Sequence, residues 1–153
     1  MREDDQLDVA NAVPARKRRQ HGGYLLGERT VLHFDEDRFL SLFGRYSWAD
    51  GDSSSLKSTT SLGVHVKGPF ASRPDDIIGL AWSRAETSSR WRAAQSVGGT
   101  ATEHAETGVE LTYKYNVTPW FAIQPNLQRI SNPGGLSGIP AARIIGARFE
   151  FVL

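Results

Sequence analysis

Apolar residues recur at every second position in several stretches of the chain. The clearest stretch places Val109, Leu111 and Tyr113 on one side of an extended backbone, with Glu110 and Thr112 between them. Successive side chains of a β-strand point to opposite faces, so this alternation predicts a strand with one apolar and one polar face. A helix would scatter the same residues around its circumference.

Similar alternation recurs along most of the chain and predicts about seven strands in an all-β, antiparallel fold. The strand at residues 23–33 alternates poorly, because Glu28 and Arg29 put charge on both of its faces. The predicted strands cover residues 23–33, 40–48, 61–67, 76–86, 109–117, 121–128 and 145–153.

The predicted connections alternate between short and long. The short ones are residues 34–37, 69–75 and 118–119, and the long ones are 50–56, 87–104 and 131–141. Outer-membrane β-barrels have short turns on one side of the membrane and longer loops on the other. This alternation therefore favours an antiparallel transmembrane β-barrel.

Aromatic residues lie near the ends of the predicted strands, as Trp48, Tyr115, Trp120 and Phe151 illustrate. Aromatic rings are enriched at both membrane interfaces of such barrels. We therefore expect the apolar face to point outward to lipid and the polar face to point inward to a water-filled lumen.

The polar face supplies the candidate site. Gln124, Asn126 and Gln128 form a row of amides on one face of one strand. Amides donate and accept hydrogen bonds at once, which suits a ligand rich in hydroxyl groups, such as a sugar. Alternatively, the charged residues of the same face form ion pairs that only stabilise the wall. The predicted pore-lining residues are Arg45, Lys67, Glu110, Lys114, Gln124, Asn126, Gln128, Arg148 and Glu150.

Composition excludes several other classes of protein. The 153 residues contain no Cys, which excludes disulfide scaffolds and thiolate chemistry, and the net charge of +1 gives no overall attraction to nucleic acid. The four histidines are dispersed, and no nucleophile with a nearby base is recognisable. The sequence therefore predicts neither an enzyme nor a bound metal or cofactor.

Residues 1–20 differ from the rest of the chain. They are polar and charged, with a basic cluster at residues 16–19, and they contain no apolar core of a secretory signal. We expect a disordered, solvated tail rather than a nucleic-acid-binding segment. The missing signal makes export of this product doubtful.

Several blocks of the chain resemble the carbohydrate-selective porins of the OprB family. The most specific are GVELTYKYNVTPW at residues 108–120, IQPNLQ at 123–128 and NPGG at 132–135. Arg45 and Arg148 lie in two further matching blocks, LFGRY at 42–46 and GARFEF at 146–151.

The resemblance implies an outer-membrane β-barrel that lets monosaccharides and similar sugars diffuse passively. Its implied partners are a carbohydrate substrate and outer-membrane lipid, and the channel is either a monomer or a homo-oligomer. Family barrels have about sixteen strands, and an open sheet edge in lipid leaves backbone groups unpaired. We therefore expect residues 21–153 to be the C-terminal part of a larger porin. Alone, this part is expected neither to conduct nor to fold stably in a bilayer.

Two other classes fit an all-β chain of this length. One is a soluble β-sandwich or small barrel that binds a sugar or an apolar ligand, and the other is a lectin-like adhesion domain. Both would bury the apolar face in a compact core.

Overall fold

The chain forms a single seven-stranded antiparallel sheet, in which the order of the strands in space is their order in the sequence. The computed structural model describes residues 21–51 and 54–152, so the predicted tail at residues 1–20 lies outside the described residues. The strands are β1 Gly22–His33, β2 Phe39–Ala49, β3 Leu56–Lys67, β4 Ile77–Thr87, β5 Ala105–Thr118, β6 Phe121–Ser131 and β7 Ala142–Phe151. The predicted all-β class and the number of strands are confirmed.

The register between strands keeps like residues on the same face. Leu111 is paired with Leu80 and with Leu127, whereas Glu110 is paired with Gln128. Directly opposite residues of an antiparallel pair share a face. The sheet therefore has an apolar face, which carries Leu111 and the residues in register with it, and a polar face, which carries Glu110 and the residues in register with it.

The apolar face is open rather than covered. Val109 is 46% exposed, Leu111 43% and Ile145 83%. Among the described residues, the buried apolar side chains are those of Ala105 and Ala122. A sandwich would pack this face against a second sheet, whereas the described strands form one layer.

The connections alternate between the two ends of the sheet, as the sequence predicts. Residues 34–38, 68–76 and 119–120 connect the strands at one end, which we call the turn end. Residues 50–55, 88–104 and 132–141 connect them at the other, which we call the loop end. The connection at 68–76 is longer than expected and exceeds the loop at 50–55.

The longest loop contains a helix that the sequence analysis left as an irregular connection. Helix α1, Ser89–Val97, begins after Ser88, whose hydroxyl accepts a hydrogen bond of 3.1 Å from the backbone N–H of Trp91. Such N-capping satisfies a backbone donor that the first helical turn leaves free. No helix in the described part of the chain is long and apolar enough to cross a membrane.

Candidate functional site

All nine predicted pore-lining residues lie on the polar face of the sheet. They come from five strands, β2, β3, β5, β6 and β7, and the pairing register fixes the face of each one. Glu110 is paired with Gln128, and Gln124 is paired with Arg148. The alternation in the sequence thus assigned each of these side chains to the correct face.

The polar face encloses a hollow of about 540 Å³. Residues that line it come from six successive strands, from Glu28 on β1 to Gln128 on β6. Phe43, Arg45 and Glu110 contribute to its floor and walls. Because one hollow contacts side chains from six strands, the sheet curves toward its polar face.

Charges on the polar face are balanced. The described strands place four carboxylates and four basic side chains there. Equal numbers of opposite charges leave this face with no formal net charge. The carboxylates are Glu28, Glu106, Glu110 and Glu150, and the basic groups are Arg45, Lys67, Lys114 and Arg148.

Several of the predicted residues contact one another. Lys114 donates a hydrogen bond of 2.8 Å to the Glu150 carboxylate, and Asn126 donates one of 3.0 Å to Glu110. Gln124 donates a hydrogen bond of 2.8 Å to the hydroxyl of Thr112. These groups form a hydrogen-bonded lining over β5, β6 and β7.

The remaining predicted residues are not joined to that lining. Within the described ranges, the side chains of Arg45, Lys67, Gln128 and Arg148 make no hydrogen bond or ion pair. Arg45 and Arg148 are exposed. Arg45 and Gln128 line the hollow, so their donors are available to a solute or to water there.

Phe43 and Glu28 belong to the same hollow, although the sequence analysis did not select them. Phe43 occupies a position between Leu42 and Gly44, on the polar side of the alternation, but a selection based on polar residue types passes over a phenylalanine. Glu28 lies 3.6 Å from the imidazole of His65, on the same face. The register of β1, whose sequence alternates poorly, was needed to place Glu28 there.

The connection at the turn end between β3 and β4 is held by Asp76, which is 1% exposed. Its carboxylate accepts two hydrogen bonds from Arg73, of 2.9 and 3.0 Å, and one of 2.6 Å from the Tyr113 hydroxyl. The backbone N–H of Asn116 donates a fourth, of 2.9 Å. Burial opposes ionisation of Asp76, but these hydrogen bonds outweigh it and hold its pKa below the ordinary value. The connection is thereby fixed to β5, beside Lys114.

These observations define the class of protein. An up-and-down antiparallel sheet with an exposed apolar face, a concave polar face and alternating turns and loops is the wall of a β-barrel porin.

Comparison with known proteins defines the family. The family described as carbohydrate-selective porin, OprB family, has a sequence model that matches residues 3–153. This range includes most of the predicted tail and the whole sheet. The chain belongs to this family, whose description is that of porins.

Two relatives illustrate the match. Porin B of Pseudomonas aeruginosa is 31% identical, over 87% of this chain and 33% of its own length. A solved structure of Pseudomonas putida OprB at high pH superposes with a TM-score of 0.80 at 28% identity, over 86% of this chain and 35% of that one. The chain thus spans about a third of the length of the relatives it matches.

Proposed function

We propose that this sheet is part of the wall of an outer-membrane channel through which monosaccharides and similar neutral sugars diffuse down their gradient. The observation that carries the proposal is the balance of charge on the concave face, with four carboxylates and four basic groups. A wall with no formal net charge contributes no overall preference for cations or anions to the lumen. Pore selectivity then depends on width and on hydrogen-bonding groups.

The amides and charged groups supply those hydrogen bonds. Gln128 and Arg148 have unengaged donors within the described residues, while Asn126 is held against Glu110 at 3.0 Å. A sugar presents many hydroxyl groups, each a donor and an acceptor. Such a lining can replace part of the water around a sugar without holding it tightly, which passive diffusion requires.

The Phe43 ring adds an apolar surface to the hollow. The ring reaches across β3 and lies against Gly63, where a methyl group would overlap it. Sugar rings carry apolar C–H faces between their hydroxyls. We propose that Phe43 contacts such a face while neighbouring polar groups bond the hydroxyls.

The exposed apolar face supports a position of the sheet in lipid. Large side chains on that face are about half exposed, including Leu42 at 48% and Leu62 at 53%. Contiguous apolar surface of this kind marks a protein or membrane contact. In a barrel, an apolar outer band faces lipid, and the lumen stays polar.

The test uses a chimera of Porin B, in which this chain replaces the segment of Porin B that it matches. We expect the chimera to form heat-modifiable barrels in liposomes and to admit glucose in a swelling assay. Porin B is the positive control, and the same scaffold with the segment deleted is the negative control. A folded chimera that excludes glucose but passes salt would contradict the sugar proposal.

A further inference from the structure

Two arginines lie directly opposite each other on the apolar face. Arg129 of β6 is paired with Arg143 of β7, close to the loop end of both strands. Both side chains are exposed, and within residues 21–51 and 54–152 neither has a hydrogen-bond or ion-pair partner. Like charges in directly opposed positions destabilise a strand pair. The wall therefore carries an unfavourable pair that an external anion would neutralise.

On the apolar face of the described strands, no carboxylate is available to neutralise Arg129 and Arg143. The register places one carboxylate on the apolar face, that of Glu86. Arg84 is 3.3 Å from that carboxylate and Lys57 is 3.9 Å from it, so Glu86 already has two basic neighbours. The other strand carboxylates lie on the polar face.

The residues below the arginines form an apolar ladder. Leu127 is paired with Ile145, and these side chains are 53% and 83% exposed. The ladder ends at the turn end with Phe121 and Phe151, whose rings stack with centroids 4.9 Å apart. At the rise of a β-strand, the eight steps from Phe121 to Arg129 span roughly 27 Å along β6, so the arginines lie at the far end of the apolar surface from the stacked rings.

We propose that Arg129 and Arg143 bind the phosphate of a lipid in the leaflet next to the loops. This inference rests on the proposed function. Two guanidinium groups on adjacent strands match the several acceptor oxygens of one phosphate group. The acyl chains of the same lipid would lie along Leu127 and Ile145, so one molecule satisfies both parts of the surface. A phosphorylated lipid, rather than free phosphate, is indicated because the charged pair is continuous with the apolar ladder.

The test measures flotation with vesicles of the Porin B chimera that carries this chain. One set is pure phosphatidylcholine and the other also contains diphosphoryl lipid A. We expect lipid A to increase the bound fraction, and Arg129→Gln with Arg143→Gln to weaken that added affinity about tenfold or more. The matched control, Arg45→Gln with Arg148→Gln, removes the same charge from the polar face and should leave the lipid A effect unchanged.

The outcomes separate this inference from the proposed function. A chimera that floats with neither vesicle contradicts the membrane wall itself, and the lipid site falls with it. A chimera that floats with both, and whose lipid A effect survives the Arg129 and Arg143 substitutions, overturns the lipid site alone. Excess inorganic phosphate should not displace lipid A, and full displacement would show that the pair binds a free anion instead. Circular dichroism of each variant verifies that its β-structure is unchanged.

Discussion

Lys114 and Glu150 form an ion pair of 2.8 Å across an intervening strand. The strand between them is β6, and the residue of β6 paired with Glu150 is Ala122, which is 5% exposed. A larger side chain at this position would occupy the space between the two charged groups. The pair therefore depends on a small residue on the concave face.

We predict that Lys114→Met lowers the stability of the barrel only slightly, by about 0.2–1 kcal/mol, because both partners are partly exposed. The same change leaves Glu150 unpaired and gives the polar face a net negative charge. Single-channel recordings of the chimera should then show a shift toward cation selectivity. Lys114→Met with Glu150→Gln restores the charge balance and should restore the original selectivity. If the double variant keeps the shifted selectivity, the balance of charge does not set it.

The strands and their faces could be predicted from the sequence because each pattern is local. The alternation around Leu111 and Glu110 records which side chains share the apolar face and which share the polar face, and the register confirms both faces. The hydrogen-bond partners of each polar residue could not be predicted in the same way. Asn126 meets Glu110 and Lys114 meets Glu150 only because strands distant in sequence pair in one particular register.

The sequence analysis missed helix α1 and the hydrogen bonds around Asp76 for related reasons. The helix has nine residues and no buried side chain, so it lacks the apolar periodicity that identifies longer helices. Asp76 is the first residue of the strand predicted at 76–86, and no local pattern indicates its role until the fold brings Tyr113 and Asn116 to it.

We predict that Phe43→Ala reduces glucose permeation through the chimera relative to its salt conductance. A contact between an aromatic ring and a sugar face is worth about 1 kcal/mol, which corresponds to roughly a fivefold effect. Phe43→Tyr keeps the ring and should retain permeation. Liposome swelling and bilayer conductance measure the two quantities on the same preparation. Equal losses of sugar and salt flux in Phe43→Ala would indicate a general narrowing of the pore instead.

Gly63→Ala should also alter permeation, although no polar group is changed. The added methyl group would overlap the Phe43 ring and come close to the Leu80 carbonyl oxygen, at 2.8 Å. The ring would have to move off the wall into the hollow, which narrows the lumen. We expect lower single-channel conductance and, in Gly63→Ala with Phe43→Ala, recovery of that conductance. Gly27→Ala is the matched control, since a methyl group there meets no other atom of the described chain within 4 Å.

Asp76 makes the turn end sensitive to acid. Its pKa is held below the ordinary value of 3.8, so the ionised carboxylate contributes stability at higher pH. That contribution is lost as the pH falls below the ordinary value and through the lowered pKa. Asp76→Asn should destabilise the chimera by about 1–3 kcal/mol at neutral pH, because it removes the charged acceptor of a partly buried ion pair and of the Tyr113 hydrogen bond. The variant should also lose the part of the acid sensitivity that this group causes.

Thermal unfolding followed by gel mobility, at neutral pH and at several values below 4, measures both effects. Tyr113→Phe removes one hydrogen bond and leaves the Arg73 pair in place, so it should be less destabilising than Asp76→Asn. An acid profile of Asp76→Asn that matches that of the unchanged chimera would assign the acid sensitivity to other carboxylates.

Adjacent residues of β5 give a direct test of which face meets lipid. Leu111 is 43% exposed on the apolar face, and its neighbour Thr112 lies on the polar face, paired with Asn126. An arginine on the lipid face of a barrel costs about 2–4 kcal/mol near the middle of the bilayer, whereas one in the lumen remains in water. Leu111→Arg should therefore destabilise the chimera in liposomes by that amount. Thr112→Arg should cost only the two hydrogen bonds of the Thr112 hydroxyl, which accepts from Gln124 and donates to the Pro125 carbonyl oxygen, about 1–2 kcal/mol in all. Urea unfolding in liposomes measures both free energies. The opposite order, with Thr112→Arg the more damaging, would mean that the apolar face is packed against protein and that the polar face is the one turned outward.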